Sequence, residues 1–231
     1  MSALTVLAIA ASVTEPGLEL AVHGGGSSAV KLFLLMTVLS FASALLISVT
    51  SFTRIIIVLS FVRQALGTQQ MPPNQVMLAL ALAITGFVMA PTASKVYDNA
   101  LGPYMEDKLS TSDALTRGSE PVRTFLLKQT RSEDLRLFYE ISGSERPERG
   151  EVVPLTVAVP AFLVSELTTA FRMGLFVYLP LMLVDLLVSA ILMSLGMMMV
   201  PPTLISLPLK VGIFLLADGW HLLVQSLVRS F

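Results

Sequence analysis

The chain has 231 residues, of which 54% are hydrophobic and 13% are charged, and its formal net charge is −1. A composition this apolar excludes an ordinary soluble domain and indicates an integral membrane protein or part of a very hydrophobic assembly. The near-neutral charge excludes a basic nucleic-acid-binding surface, and the lack of cysteine excludes disulfides and thiolate chemistry.

Residues 1–29 form an N-terminal segment that begins with a short apolar run. Ala8, Ile9 and Ala10 supply the small-x-small pattern of a signal-peptide cleavage site, but no Lys or Arg precedes the run. The run is also near the lower limit of length for a signal peptide. Cleavage and retention of this segment therefore both stay open.

The first apolar block, residues 30–91, contains segments whose lengths do not fit a bilayer. Residues 30–62 hold no proline or glycine and would make a helix of about 50 Å, against a hydrocarbon core of about 30 Å. Residues 74–90, between Pro73 and Pro91, would reach only about 25 Å as a helix. These lengths favour helices packed on protein over simple membrane spans.

A charged insert, residues 92–151, separates the two apolar blocks and holds nine of the 15 Lys/Arg and eleven of the 16 Asp/Glu residues. Its pattern predicts a helix start at residues 119–121, a capping box at Thr130 and Glu133, and a helix end at Gly143. We expect a small, water-facing helical domain here, with a charged loop as the alternative.

Prolines divide the second apolar block, residues 152–231, into pieces that do not match a bilayer either. They are Pro154, Pro160, Pro180, Pro201, Pro202 and Pro208. Hydropathy would predict about four spans over the whole chain. The lengths of the pieces instead favour helical hairpins packed on protein.

A methionine triplet in this block is bracketed by helix-stopping residues. The run reads Gly196, Met197, Met198, Met199, Val200, Pro201 and Pro202. Three consecutive residues cannot share one face of a helix, so the triplet is predicted on a turn or unwound tip. Flexible methionines on a tip would make a deformable apolar surface suited to a seal. The alternative is that they fill gaps in an apolar core.

Seven of the nine charged side chains in the apolar blocks lie within or at the edge of segments that hydropathy would place in lipid, where a charge at the centre of a span costs about 2.5 to 3.5 kcal/mol. They are Arg54, Arg63, Glu166, Arg172, Asp185, Lys210 and Asp218. Glu166 and Arg172 lie about 120° apart on a helix and cannot satisfy each other. We therefore expect partners on other helices or other subunits, with snorkelling as the alternative for Lys210 and Arg63.

Motifs for catalysis and metal binding are absent from the sequence. It has no Gly-x-Ser-x-Gly, no His-Glu-x-x-His and no Walker lysine, and its two histidines are His23 and His221. We expect neither an enzyme nor a bound cofactor or metal. Intramembrane acids leave a proton-coupled transporter as an alternative, although the blocks show no convincing internal repeat. A purely structural scaffold is a third candidate, against which the methionine triplet argues.

Several long motifs in the chain resemble one family in order and with compatible spacing. They are TSFTRIIIVLSFVRQALGTQQMPPNQ at residues 50–75, FLLKQTRSEDL at 125–135, VPAFLVSELTTAF at 159–171, LMSLGMMMVPPTLISLPLK at 192–210 and DGWHLL at 218–223. Together they are similar to the FliP family of flagellar export-gate proteins, whose injectisome members are called SctR. The resemblance covers residues 31–231, nearly the whole chain.

The resemblance implies an all-α, membrane-associated subunit built of helical hairpins with a charged helical insert. It implies a helical or ring-like homo-oligomer of five copies, assembled with FliQ and FliR homologues and working with FlhA and FlhB homologues on unfolded export substrates. The location implied is the bacterial inner membrane at the flagellar basal body, with the insert on the periplasmic side. Too few basic residues flank the apolar blocks for the sequence to fix that orientation, and injectisome use is the alternative.

Site residues follow from the same resemblance. Met197, Met198 and Met199 would project into a central pore and close it, with Gly196, Pro201 and Pro202 as the hinges of the loop. The family's polar contacts between helices or subunits map onto Glu166, Arg172 and Asp185. We add Arg54 because it also needs a partner.

Overall fold

The computed structural model of the chain describes residues 30, 32–34, 36–37, 40, 44, 46–68, 71–143, 152–197 and 199–231. The predicted N-terminal segment 1–29, the last residues of the predicted insert, 144–151, and Met198 lie outside the described residues. The chain divides into two units, Met1–Leu46 and Ile47–Phe231. In the first, the described residues are helical, and Thr37 Oγ1 donates to Phe33 O at 2.8 Å.

Eight α-helices form the described part of the second unit. They are α1 (Phe52–Ala65), α2 (Asn74–Val96), α3 (Gly102–Met105), α4 (Thr111–Gln129), α5 (Ser132–Ser142), α6 (Leu155–Ser194), α7 (Thr203–Leu216) and α8 (Gly219–Arg229). A π-helical turn, Tyr97–Leu101, joins α2 to α3. The described residues contain no strand, and the prediction of an all-α fold is confirmed.

Two helical stretches, Asn74–Met105 and Leu155–Ser194, are long and apolar enough to cross a membrane. A third is possible if α7 and α8, which are bent by 63°, count as one broken span. Pro91 lies inside α2, Pro160 and Pro180 lie inside α6, and Pro208 lies inside α7. The helix breaks predicted at these prolines were wrong. A proline removes one backbone hydrogen bond, and packing on both sides of it can keep a long helix continuous.

The insert is helical, but two of its predicted boundaries are wrong. Helix α4 begins at Thr111 and is capped by the preceding Ser110, whose hydroxyl accepts from Asp113 N at 3.2 Å; the helix continues through Pro121. Thr130 does not cap α5, since its hydroxyl donates back to Leu126 O at 2.7 Å. The predicted helix end is correct, with Gly143 in the left-handed conformation at φ 64°. The treatment of residues 92–151 as a separate domain stays a prediction.

Helix α1 lies at the centre of the main hydrophobic core. Ile55, Val58, Leu59 and Val62 are all buried, at the three- and four-residue spacing of one helix face. The core is completed by buried residues from α2, α6, α7 and α8, including Met77, Ala81, Ala170, Leu181, Phe214, Leu223 and Leu227. A smaller cluster of Phe125, Leu126 and Phe162 joins α4 to α6. Helices from both apolar blocks therefore share one core around α1.

The Phe61 side chain of α1 packs directly against Gly174 of α6. A methyl group placed on Gly174 would lie 2.5 Å from Phe61 Cγ, so only glycine fits there without movement. The Phe61 ring packs edge-on against Phe171 and Tyr178, with centroids 5.3 and 6.4 Å apart. The phenyl ring thus fills the space left by the missing side chain.

Replacing Gly174 by alanine should destabilise the fold by about 1 to 3 kcal/mol, because the new methyl group forces Phe61 out of its position. Thermal unfolding of the purified protein in mild detergent measures the change. Shortening the ring in the double variant Gly174→Ala, Phe61→Leu should restore part of the loss.

Gly212→Ala is the matched control, because Gly212 is also inside a helix but has no neighbouring atom within 4 Å of an added methyl. This variant should be unchanged or more stable by about 0.5 to 1 kcal/mol. Equal stability of the Gly174→Ala and Gly212→Ala proteins would contradict the close approach of α1 and α6.

Candidate functional site

Arg54, in the first turn of α1, forms an ion pair with Glu166 in α6. Arg54 Nε donates to Glu166 Oε2 at 2.8 Å, and Nη2 donates to Oε1, so the pair is bidentate. The side chains are 3% and 0% exposed. Arg54 also donates from Nη1 to Ser230 O at 2.8 Å, and its guanidinium lies 4.0 Å from the centroid of the Phe231 ring. One side chain therefore joins α1, α6 and the segment after α8.

A second set of hydrogen bonds attaches the insert next to this pair. Gln129, at the end of α4, accepts from Arg54 Nη2 at 3.4 Å and donates from Nε2 to Phe231 O at 2.7 Å. The Ser165 hydroxyl accepts from Arg131 N at 3.0 Å and donates to Gln129 O at 3.3 Å. The turn between α4 and α5 is thus fixed to α6 at the residue that precedes Glu166.

Asp185, further along α6, pairs with Lys210 in α7. Lys210 Nζ donates to Asp185 Oδ2, and the two side chains are 6% and 37% exposed. Lys210 is buried, so the alternative in which it snorkels to the membrane surface is wrong. The lysine instead lies inside the protein, where its carboxylate partner compensates its charge. The pair holds α7 against α6.

Arg172 is the predicted contact residue that the described part of the chain leaves without an ion pair. It is exposed on α6, beside Phe171 and Phe176, which are 51% and 81% exposed. Glu166 and Asp185 find their partners within the chain, whereas Arg172 does not. Arg63, by contrast, donates a hydrogen bond to Asn74 Oδ1 at the start of α2.

The methionine triplet lies between α6 and α7, where the sequence predicts a turn. Gly196 has φ +72°, Gly196 N donates to Met193 O at 3.1 Å, and Met197 N donates to Leu192 O at 2.9 Å. These two bonds form a Schellman motif, which ends α6 and requires the left-handed conformation that glycine adopts most easily. The helix cannot continue into the triplet.

The connection presents apolar side chains to its surroundings. Met199 is 97% exposed and Met197 is 44% exposed, so neither fills the core of this chain. Pro201 and Pro202 precede the first residue of α7, Thr203, where a proline lacking N–H is tolerated. The geometry supplies a short apolar tip held at both ends by helices that an ion pair joins.

No group of three or more His, Cys, Asp or Glu residues that could hold a metal ion occurs within the described ranges. In the two ion pairs, each positive side chain instead neutralises a carboxylate on another helix. The chemistry that this arrangement supports is apolar contact at the tip and electrostatic attachment between helices.

Comparison with known proteins gives a consistent result. The sequence model of the FliP family matches residues 35–227. A flagellar biosynthetic protein FliP of Bacillus subtilis is 52% identical over 205 residues, which cover 89% of this chain and 93% of that protein. The FliP of Pectobacterium carotovorum is 50% identical over 95% of this chain and 84% of its own, and that of Aquifex aeolicus is 44% identical over 99% and 98%.

Replacing Glu166 by alanine leaves the buried Arg54 guanidinium without its carboxylate, which should cost about 3 to 5 kcal/mol. The purified protein should then unfold, and its complexes dissociate, at lower temperature and lower detergent concentration. Replacing both Arg54 and Glu166 by methionine should recover much of this loss, because no buried charge is left unpaired.

Glu140→Ala is the matched control, because Glu140 pairs with Arg136 at 2.8 Å but the side chains are 60% and 71% exposed. The loss there should be about 0 to 1 kcal/mol. If Glu166→Ala is as well tolerated as Glu140→Ala, the buried pair does not hold α1 to α6.

Proposed function

Because this chain belongs to the FliP family, we propose that it is a core subunit of the flagellar type III protein export gate, with its methionine connection as the seal of a protein-conducting channel. FliP proteins are membrane components of the flagellar export apparatus and not enzymes. The proposal of a seal rests on the exposure of Met197 and Met199. Both lie in a connection bounded by Gly196, Pro201 and Pro202.

The seal depends on the flexibility of the methionine side chains. A methionine side chain has three rotatable bonds and a polarisable sulfur, so several of them can follow the surface of an extended, unfolded substrate of any sequence. Hydrophobic constrictions also exclude water and ions when nothing occupies them. The Schellman motif and the two prolines fix where the tip begins and ends, while the methionine side chains stay free to repack.

The gate requires several copies around one pore. We propose a homo-oligomer of five copies, completed by FliQ and FliR homologues and working with FlhA and FlhB homologues. Large exposed apolar side chains support such contacts, with Phe87, Phe176 and Leu216 exposed at 70%, 81% and 91%. Exposed apolar surface of this extent is typical of protein or lipid contacts.

The two ion pairs favour the role of an export-gate subunit over that of a proton-coupled transporter. A carboxylate that carries protons must lose its charge in each cycle, whereas Glu166 is held in a bidentate pair with Arg54 and Asp185 is held by Lys210. Loss of either negative charge would leave a buried cation unpaired. The relatives named above are flagellar proteins, which favours flagellar over injectisome use.

The proposed location is the inner membrane at the flagellar basal body, with the charged insert on the periplasmic side. The spans Asn74–Met105 and Leu155–Ser194 support the membrane location. Helices α4 and α5 carry exposed ion pairs, such as Arg136 with Glu140, which fits a water-facing position.

Serine at all three positions, Met197, Met198 and Met199, should open a leak to ions in the assembled complex, because hydroxyl groups hold water in the constriction. Leucine at the same positions should keep it closed. Conductance across bilayers that contain the complex with its FliQ and FliR homologues measures the leak, and mass measurement in detergent checks assembly.

A second triple serine variant serves as the matched control, at Met71, Met105 and Met193, which are 71%, 75% and 60% exposed but lie outside the tip. It should assemble without a leak. An assembled and leak-free serine variant of the tip would refute the seal, and so would a tip variant that fails to assemble in the way a core variant does.

Trypsin should cut after Lys108 in spheroplasts, which present the periplasmic face. Lys108 lies in the non-helical link between α3 and α4, and its side chain is 69% exposed. Lys108→Gln should remove this cleavage and identifies the site. Protection in spheroplasts together with cleavage in inverted vesicles would place the insert on the cytoplasmic side.

A further inference from the structure

A cleft of about 700 Å³ opens where the apolar part of α2 meets the charged insert. Phe87, Pro91 and Lys95 of α2 line it at four-residue spacing, so they share one face of that helix. From α4, the lining residues fall between Glu120 and Gln129. The cleft therefore lies towards the insert end of Asn74–Met105, a stretch long and apolar enough to cross a membrane.

The lining of the cleft changes from apolar to polar along the chain. Phe87 is 70% exposed, and Val88 beside it also lines the cleft. Further towards the insert, Thr92, Lys95 and Asn99 supply polar groups. Lys95 follows Phe87 by eight residues, which is about 12 Å of helix. A ligand that fits this lining needs an apolar part and a polar part in the same order.

The polar part of the cleft is cationic. Lys95 and Lys128 both line it, and neither forms an ion pair with a described side chain. Lys128 Nζ donates to Phe231 O at 3.0 Å, which leaves two of its three N–H groups for another acceptor. Glu120, the one acidic side chain among the described lining residues, already accepts from Arg123 Nη1 at 2.7 Å. Lys95 is therefore a cation without an acidic partner, in the same cleft as a second ammonium donor.

An anionic phospholipid combines the two kinds of group that this lining accepts. A soluble anion would contact the lysines but leave Phe87 uncovered, and an apolar helix would cover Phe87 without using the lysines. A phospholipid at the boundary of a membrane presents its phosphate on the polar side and its acyl chains on the apolar side. Lysines near that boundary attract anionic lipids.

We propose that this cleft binds an anionic phospholipid, with the phosphate group at Lys95 and Lys128 and an acyl chain along Phe87 and Val88. The inference rests on the membrane location of the proposed function and adds a ligand to it. A lipid bound in this way would attach the insert to the bilayer surface, because one molecule contacts both α2 and α4.

Mass measurement of the intact protein with its retained lipids tests the site. The full chain is purified in mild detergent and incubated with equal amounts of phosphatidylglycerol and phosphatidylcholine that carry the same acyl chains. The parent should retain the anionic lipid in about fivefold preference, the effect expected of one lysine near a membrane surface. Lys95→Gln together with Lys128→Gln should reduce the preference to within about twofold, and glutamine at 128 keeps a donor for Phe231 O.

The matched control removes the same charge elsewhere on the insert. Lys108→Gln together with Arg136→Gln changes two exposed side chains that do not line the cleft, so the preference should equal that of the parent. Loss of the preference in this control would show that lipid choice follows the total charge of the protein, which overturns the site.

The apolar part of the cleft has its own test. Phe87→Ala should lower the retained amount of both lipids and leave their ratio unchanged, because the acyl chains are the same. Phe176→Ala, at a position 81% exposed but outside this cleft, should change neither amount. Glycerol 3-phosphate has the charged group without acyl chains. If it displaces phosphatidylglycerol at a similar concentration, the cleft is a site for soluble phosphate and not for a lipid.

The outcomes separate this inference from the proposed function. Equal retention of the two lipids by a parent protein that needs detergent overturns the lipid site and leaves the membrane location standing. A second copy lying in the cleft would exclude lipid, so an assembled complex without the selective lipid also overturns the site alone. A parent protein that stays soluble without detergent overturns both the membrane location and the lipid site.

Discussion

The guanidinium group of Arg54 is the feature on which the arrangement of the helices depends. It is buried at the start of α1 and is satisfied by Glu166 of α6, Gln129 of α4, and Ser230 and Phe231 after α8. A buried arginine without such partners would be strongly destabilising, so these segments are constrained to meet at one point. The hydrophobic core around α1 supplies most of the favourable free energy, but it is non-directional. The charge determines which helices meet there and at which residues.

Helix α6 connects the Arg54 cluster to the methionine connection. Its 40 residues correspond to about 60 Å of helix, with Glu166 attached to α1 and Asp185 attached to α7 before the helix ends at the Schellman motif. Because Lys210 holds α7 against α6, the two helices that bear the tip cannot separate without breaking a partly buried ion pair. In the proposed seal, adaptation to a substrate would then be confined to the side chains of the tip. A rigid support with soft contacts is the combination that a non-specific seal needs.

The sequence is informative where local chemistry decides the structure. The all-α fold, the helix end at Gly143 and the turn at Gly196 follow from periodicity and from glycine. The need of Glu166 and Asp185 for partners on other helices follows from the cost of a charge in an apolar segment. The identity of those partners does not follow, since Arg54 and Glu166 are 112 residues apart and nothing in either local pattern indicates the other. Gln129, Ser165 and Ser230 carry no signal at all, because an amide or hydroxyl gains its role only from its surroundings. The breaks predicted at Pro91, Pro160, Pro180 and Pro208 are absent, because a proline removes one backbone hydrogen bond and the helix continues on both sides of it.

The long sequence separation within the Arg54 cluster also constrains how the protein is made. Ser230 follows Arg54 by 176 residues, so ribosomes that add about 5 to 20 residues per second complete the cluster roughly 10 to 35 s after Arg54 is synthesised. The carboxylate of the pair, Glu166, follows Arg54 by 112 residues, so the cation has no compensating charge until that residue has been made. Any group that neutralises Arg54 during this interval must come from outside the cluster. The buried charge therefore sets a condition on the order of synthesis as well as on equilibrium stability.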